Sequence, residues 1–302
     1  MKQALVTGAT GFIGRHLVQT LLAHHVETYV VVRSEEKAHM LFGDHPNLQI
    51  ICCDMSKIKQ LPELLGSRSF DTCFHFAWTG VSGEGLCDAE LQLKNVEYTL
   101  SFLSVLQEIG VHKFVGAGSI HEIECRVASE EEFPMSMSNM YKSAKLAAHH
   151  MARTYCNNHQ IEFCWPIITN TYGVGEKSAR LIITTIEKLR RGQEPRFSSG
   201  TQFYDFVEVT DVAQAFYLVG CKGKNNRNYM ICNLETKPLK TYLEELGELV
   251  NPQVKLCFGE ADVSPVFLPQ SVFDSRSLME DTGFQVNVPF EVGIKKILKS
   301  LE

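Results

Sequence analysis

The stretch Thr7-Gly8-Ala9-Thr10-Gly11-Phe12-Ile13-Gly14 constrains the chain most, because of what flanks it. Before it runs ALVT, short and apolar. After it runs FIGRHLVQTLLAHH, with Ile13, Leu17 and Leu21 recurring at helical spacing beside Val18 and Leu22. Strand, glycine turn and helix in that order let a backbone approach phosphate and let the helix pack close to its strand. Glycines alone are weak evidence, but in this setting they read as the pyrophosphate site of a dinucleotide.

The alternation continues along the chain. ETYVVVR, LQIICCD, DTCFHFA (71–77), KFVGAGS (113–119) and EFCWPII (162–168) read as further strands. Between them lie helical patterns such as LKNVEYTLSFLSVLQEIG (93–110) and the stretch from about Tyr141. Six strands with helical crossovers predict an α/β fold built on a doubly wound parallel sheet. Beyond residue 168 the texture changes: TNTYGVGEKSARL reads as loop, IITTIEKLRRG as helix, YMICN and LKTYLEELGELV as later strand and helix pieces. The expected division is a dinucleotide-binding unit over 1–168, to which 203–220 returns. A smaller C-terminal α/β substrate-binding unit takes 169–202 and 221–302, with a cleft between the two.

Composition narrows the partners. A chain of 302 residues with 44% hydrophobic and 21% charged residues is an ordinary globular protein, and a net charge of −6 without a long Lys/Arg run argues against nucleic acid. No stretch approaches the ~18 apolar residues of a membrane span, and the start is too glycine-rich for a signal peptide, so a cytoplasmic protein is expected. Cys52, Cys53, Cys73, Cys164 and Cys232 fall in apolar runs without a CxxC or CxxxH pattern, which predicts free buried thiols and no metal site. The neighbours His24–His25 and His149–His150 point about 100° apart on a helix and are expected on helix surfaces.

Several segments, in order and spacing, carry a family resemblance. They are TGATGFIG, Asp54 after the third strand, HFAW (75–78), Asn95, Ser119, Tyr141 with Lys145, TNTYG (169–173) and DFVEVTDVAQA (205–215). The chain resembles the extended short-chain dehydrogenase/reductase superfamily, the NAD-dependent epimerase/dehydratase family of nucleotide-sugar enzymes, over nearly its whole length. The resemblance implies a Rossmann fold in which Gly8, Thr10, Gly11, Phe12, Ile13 and Gly14 hold the cofactor pyrophosphate. Asp54 and Met55 would meet the adenine end, and Phe76, Ala77 and Trp78 would line the cleft, with Trp78 shaping its substrate side. Asn95, Pro166 and Ile168 complete the implied cofactor contacts. Family members often form homodimers through two helices, one of them bearing Tyr141 and Lys145.

Tyr141 and Lys145 match the family's YxxxK, and four residues of helix put both side chains on one face about 6 Å apart along the axis. A phenol with a pKa of about 10 is a poor base near neutrality, and a neighbouring ammonium with a nicotinamide cation would lower it. Lys145 would also hold the nicotinamide ribose. Ser119 taken alone reads as a strand-end turn hydroxyl; beside the pair it would hold the substrate oxygen. Arg33, 19 positions after Gly14, stands where a carboxylate would select NAD(H), and an arginine there favours NADP(H), with Arg15 a second charge and Glu35 and Glu36 close by.

The reading SIHEIE (119–124) lacks the Asp-Glu pair that the family's dehydratases place after the Ser/Thr, which argues against a 4,6-dehydratase. His121 occupies a place where some members put an extra acid/base group, or is a plain loop histidine. Thr79, Ser119, His121, Asn170, Arg180 and Tyr204 are the expected substrate side. Tyr204 replaces the family's arginine before DFV and LPQSVFDSR supplies no second one, so Arg180 or Lys177 is the candidate phosphate partner. The expected activity is NADP(H)-dependent reduction of a nucleotide-linked 4-keto sugar, on a branch similar to CDP-abequose and CDP-paratose synthases. The alternatives are a 4-epimerase with tightly held cofactor and a non-catalytic NADP(H)-binding regulator, against which retention of Ser119, Tyr141 and Lys145 argues.

Overall fold

The structure, a computed structural model, describes residues 1–130, 139–233, 236–261 and 267–302, and for 128–130 the backbone alone. The strands expected from the sequence are β1 (Gln3–Thr7), β2 (Glu27–Val32), β3 (Leu48–Cys52), β4 (Thr72–His75), β5 (Lys113–Gly116) followed by β6 (Gly118–Ser119), and β7 (Glu162–Ile168). Between them run α1 (Phe12–Ala23), α2 (Glu35–Phe42), α3 (Leu61–Leu65), α4 (Ala89–Glu108), α5 (Ile120–Glu130) and α6 (Met140–Asn158). The remainder adds β8 (Asn170–Tyr172), α7 (Leu181–Arg190), β9 (Arg196–Phe197), β10 (Phe203–Tyr204), β11 (Phe206–Glu208), α8 (Val209–Lys222) and β12 (Arg227–Ile231). Helices α9 (Leu239–Val250), α10 (Arg276–Thr282) and α11 (Phe290–Ser300) close the chain.

The large sheet is parallel throughout, in the order β3–β2–β1–β4–β5–β7–β12, with β6 beside β7. Helices cover both faces, which is why β1 and β4 are apolar or buried at nearly every position. On one face α4 and α6 bring Phe102, Leu103, Leu106, Ala148 and Cys156 onto Phe114 and Phe163. On the other, Leu17, Val18 and Leu21 of α1 meet Val212, Phe216 and Val219 of α8. The strand order reverses between β1 and β4, so the connections leave in opposite directions and open a crevice at the carboxyl ends.

Helix α8 packs against α1 on the large sheet. The YMICN run departs from expectation. It supplies β12, the edge strand beside β7, where the second unit was expected. Tyr229 and Ile231 fill the α1–α8 side and Met230 packs on the other, so the strand has two apolar faces to bury. A third apolar cluster gathers α7, α9 and α11 around Tyr172, Phe206 and Tyr242, with β8 and β11 paired in parallel.

Two surface assignments are corrected. His149 is buried, because it shares the inward face of α6 with Lys145 four residues earlier; His24 and His25 are exposed as expected. Cys52 is exposed at the end of edge strand β3, while Cys53, Cys73, Cys164 and Cys232 are buried free thiols. No helix among the described residues is long and apolar enough to cross a membrane.

Candidate active site

β1 ends at Thr7, and Gly8 then takes a φ of 69°, a conformation costly for any residue with a Cβ. A Cβ there would lie 2.5 Å from the Phe76 carbonyl carbon, and one on Gly14 would lie 2.3 Å from the Gly8 carbonyl oxygen. Strand β4 and helix α1 can approach the turn this closely only because both positions are glycine. Gly11 caps α1 in an extended conformation, so the first amides of the helix face the crevice. Gly8, Gly11, Phe12, Ile13 and Gly14 line one cavity with Ile168 and the Ser119–Tyr141–Lys145 cluster. A second cavity shares Gly8, Gly11, Phe76 and Trp78 with it and runs past Thr10, Ala77 and Asn95 to Arg33, Asp54 and Met55. The shared residues make one crevice, open to the N-terminus of α1.

At the far end Arg33 is exposed just past β2. Asp54 accepts from the Ser56 hydroxyl and amide (2.6 and 2.8 Å), which together with nearby Arg33 holds its carboxyl below the usual range. Arg15 does not reach this rim: its Nη2 donates to the Val174 carbonyl at 2.9 Å, tying the loop after β8 to α1. Lys37, on the first turn of α2, and Lys94 line the same cavity as Arg33.

The loop after β4 is held by two buried amides. Asn95 accepts from the Thr79 N–H and donates to the Thr79 carbonyl, both at 2.9 Å. Gln92 accepts from Trp78 Nε1 (2.8 Å) and donates to the carbonyls of Gly80 and Gly85 (2.8 and 2.7 Å). Asn95 therefore acts on the loop, and Thr79 lies beside the dinucleotide cavity and not on the substrate side where it was expected. Trp78 borders both that cavity and the one at Ser119 and Tyr141. Pro166 is buried within β7, opposite Tyr229 in the ladder, and lines neither part of the crevice.

Tyr141 and Lys145 come from the first two turns of α6, and Ser119 from the end of β6. The Lys145 ammonium donates to the Ala117 carbonyl at 3.1 Å and sits 3.8 Å from the centre of the Trp78 ring. Tyr141 meets Trp78 edge-on at 6.1 Å and His121 at 5.9 Å, and its phenol shares a hydrogen bond with Ser119. Burial lowers Lys145 to about 8, against a pull upward from Glu122. Burial pushes Tyr141 up to about 12, with the Ser119 hydrogen bond pulling the other way. The lowering expected of an ammonium acting with a nicotinamide cation concerns the loaded site; in the protein alone, burial carries the phenol upward. Such a phenol keeps its proton through neutral pH.

Ser119 and Tyr141 also face a third cavity, lined by His121, Asn170, Arg180 and Tyr204. Asn170 donates to the Asp205 carbonyl at 3.0 Å, and Arg180 stands exposed at the start of α7. Burial pushes Tyr204 up to about 12. His121 Nδ1 lies 2.7 Å from Glu124 Oε2, which Lys142 also reaches at 2.7 Å. Lys177 borders a different surface pocket, so of the two candidate phosphate partners only Arg180 is in place. Sequence reasoning missed Lys37, Gln92 and Glu122. Glu122 stands only three residues after Ser119, a spacing that puts both at one turn.

A doubly wound sheet opening on a glycine turn defines a dinucleotide-binding α/β enzyme. Residues 4–232 match the NAD dependent epimerase/dehydratase family, and the chain belongs to that family, within the extended short-chain dehydrogenase/reductase superfamily. It is 24% identical over 316 residues to a trifunctional UDP-glucose 4,6-dehydratase/UDP-4-keto-6-deoxy-D-glucose 3,5-epimerase/UDP-4-keto-L-rhamnose-reductase of Arabidopsis thaliana, covering 98% of this chain but 46% of that one. It therefore spans about half the length of that relative. A human dTDP-D-glucose 4,6-dehydratase is 26% identical over 317 residues, with 99% of this chain and 89% of that protein covered. The fold superposes on a UDP-glucose 4-epimerase of Thermotoga maritima with a TM-score of 0.81 at 19% identity, covering 99% of this chain and 100% of that one.

Proposed function

We propose that the protein reduces the keto group of a nucleotide-linked 4-keto-6-deoxy sugar with NADP(H), Tyr141 giving the proton. The observation that carries this reading is the convergence of Ser119, Tyr141 and Lys145 on the cavity that also holds the glycine turn. A nicotinamide dinucleotide bound along the crevice supplies the hydride to the carbonyl carbon. Ser119 holds the carbonyl oxygen beside the Tyr141 hydroxyl, whose high pKa suits it to donate and not to abstract. Lys145, anchored on Ala117, stabilises the phenolate that remains. Arg33 and Lys37 on the far rim favour a 2′-phosphate. Arg180 is the cation for the substrate phosphates, and the division into a dinucleotide unit and a smaller substrate unit belongs to the same reading.

The nucleotide-sugar class draws on the names of the human, Arabidopsis and Thermotoga proteins. Against dehydration, Glu122 turns into the core, bound by Ser119 N–H, His149 and Trp165, and borders neither cavity at Tyr141. The test is loss of near-ultraviolet NADPH absorbance, with NADH in parallel, against CDP-, dTDP-, GDP- and UDP-linked 4-keto-6-deoxy sugars. Oxidation with one nucleotide class, faster with NADPH, is the expected result. No oxidation by any of them, with C4 inversion of a nucleotide hexose and no net cofactor use, would replace the reductase by an epimerase.

A further inference from the structure

Beneath the reacting cluster lies a polar group that neither cavity touches. Glu122 on α5 is 1% exposed, and its carboxylate takes three N–H donors. They are the Ser119 amide at 2.8 Å, His149 Nδ1 at 2.8 Å and Trp165 Nε1 at 3.1 Å. His149, 4% exposed, stacks on the Trp165 ring at 4.8 Å and reaches Asn228 Oδ1 through Nε2 at 3.0 Å. A buried carboxylate is costly unless its oxygens are satisfied, and here every donor comes from a different element: β6, α6 and β7.

We infer that Glu122, braced by His149 and Trp165, is the positioning residue of the proton-transfer site: it fixes Ser119 through the backbone amide and sets a buried carboxylate beside the cluster. The inference takes from the proposed function only that Ser119, Tyr141 and Lys145 are the reacting cluster. Fixing the Ser119 amide fixes the strand end from which its hydroxyl meets Tyr141, since the His121 amide already lies 3.3 Å from that hydroxyl. Glu122 also raises both Lys145 and Tyr141, against the burial that lowers Lys145 to about 8. The other titratable groups around Lys145 are Tyr141 and His149 on its own helix, His75 on β4, and Glu176 and Arg180 between β8 and α7. Arg153 and His150 flank His149.

The test needs no substrate, so it stands or falls apart from the ketoreductase reading. The chain holds two tryptophans, and the Lys145 ammonium lies over one of them, Trp78. Indole emission should therefore step with pH near 8, and the step that disappears in Lys145→Met belongs to this contact. Glu122→Gln keeps an acceptor for the Ser119 amide but loses the charge, so that midpoint should fall. Glu122→Asp keeps the charge but shortens the reach, so the midpoint should hold while amide exchange at Ser119 quickens at least about tenfold. An unmoved midpoint in the first variant, or unchanged exchange in the second, overturns the inference. Should neither variant fold, the unaltered chain decides: slow exchange at the Ser119 amide supports the inference, and exchange as fast as in an exposed loop overturns it.

Discussion

Replacing Arg33 by alanine separates the two nicotinamide cofactors. Arg33 and Lys37 line one rim of the crevice, on either side of the turn between β2 and α2, with Asp54 opposite. A phosphate there would gain charge-assisted hydrogen bonds worth up to about 3 kcal/mol when shielded from water. Both cations are exposed, so screening cuts the share of Arg33 to about 1.5 kcal/mol, or about tenfold in affinity. NADH lacks the phosphate, and its affinity should stay within about twofold. Fluorescence titration with NADPH and NADH at low and high salt measures both, and the NADPH preference of the unaltered chain should narrow as salt rises. Parallel losses for the two cofactors, or no loss for NADPH, would refute the argument and leave Arg33 a solvated surface residue.

Three further outcomes follow from buried groups. Gly8→Ala meets both a left-handed φ and backbone atoms 2.5 Å away, so it should cost about 2 kcal/mol or more and lower the melting temperature along with dinucleotide binding. His75 is buried between the hydroxyls of Thr7 and Thr99, and burial lowers it to about 3. The unfolded chain binds its proton first, so stability should fall by about 1.4 kcal/mol per pH unit below pH 6.5, as read by denaturant midpoints across the acid range. Lys145 is the alkaline counterpart. Its ammonium is 7% exposed and lowered to about 8, so its own contribution to stability should rise between pH 8 and 10.5, by about 3 kcal/mol in all, while the buried thiols pull the other way; the difference between the unaltered chain and Lys145→Met across that range reads it.

The six strands and the glycine turn were legible because their signals are local: apolar runs of strand length bounded by turns, and a Gly8–Gly14 spacing that geometry demands. β12 was not, because a five-residue run does not say which edge it joins, and only Tyr229 and Ile231 meeting α8 settles that. His149 was judged by its neighbour His150, although Lys145 four residues earlier already defined the buried face of the helix. Arg15 lies away from the rim where it was expected because the sequence cannot show that the Val174 carbonyl lies over α1. The burial of Tyr141 also escaped, since spacing along a helix gives the distance to Lys145 and says nothing about desolvation.

The most direct test of the central claim is Tyr141→Phe, which removes one hydroxyl from the cluster. NADPH oxidation with the sugar found by the nucleotide panel is measured beside NADPH affinity. The account predicts affinity within about twofold of the unaltered chain and turnover lower by about 10²–10⁴-fold. Turnover retained in the Tyr141→Phe protein would contradict it.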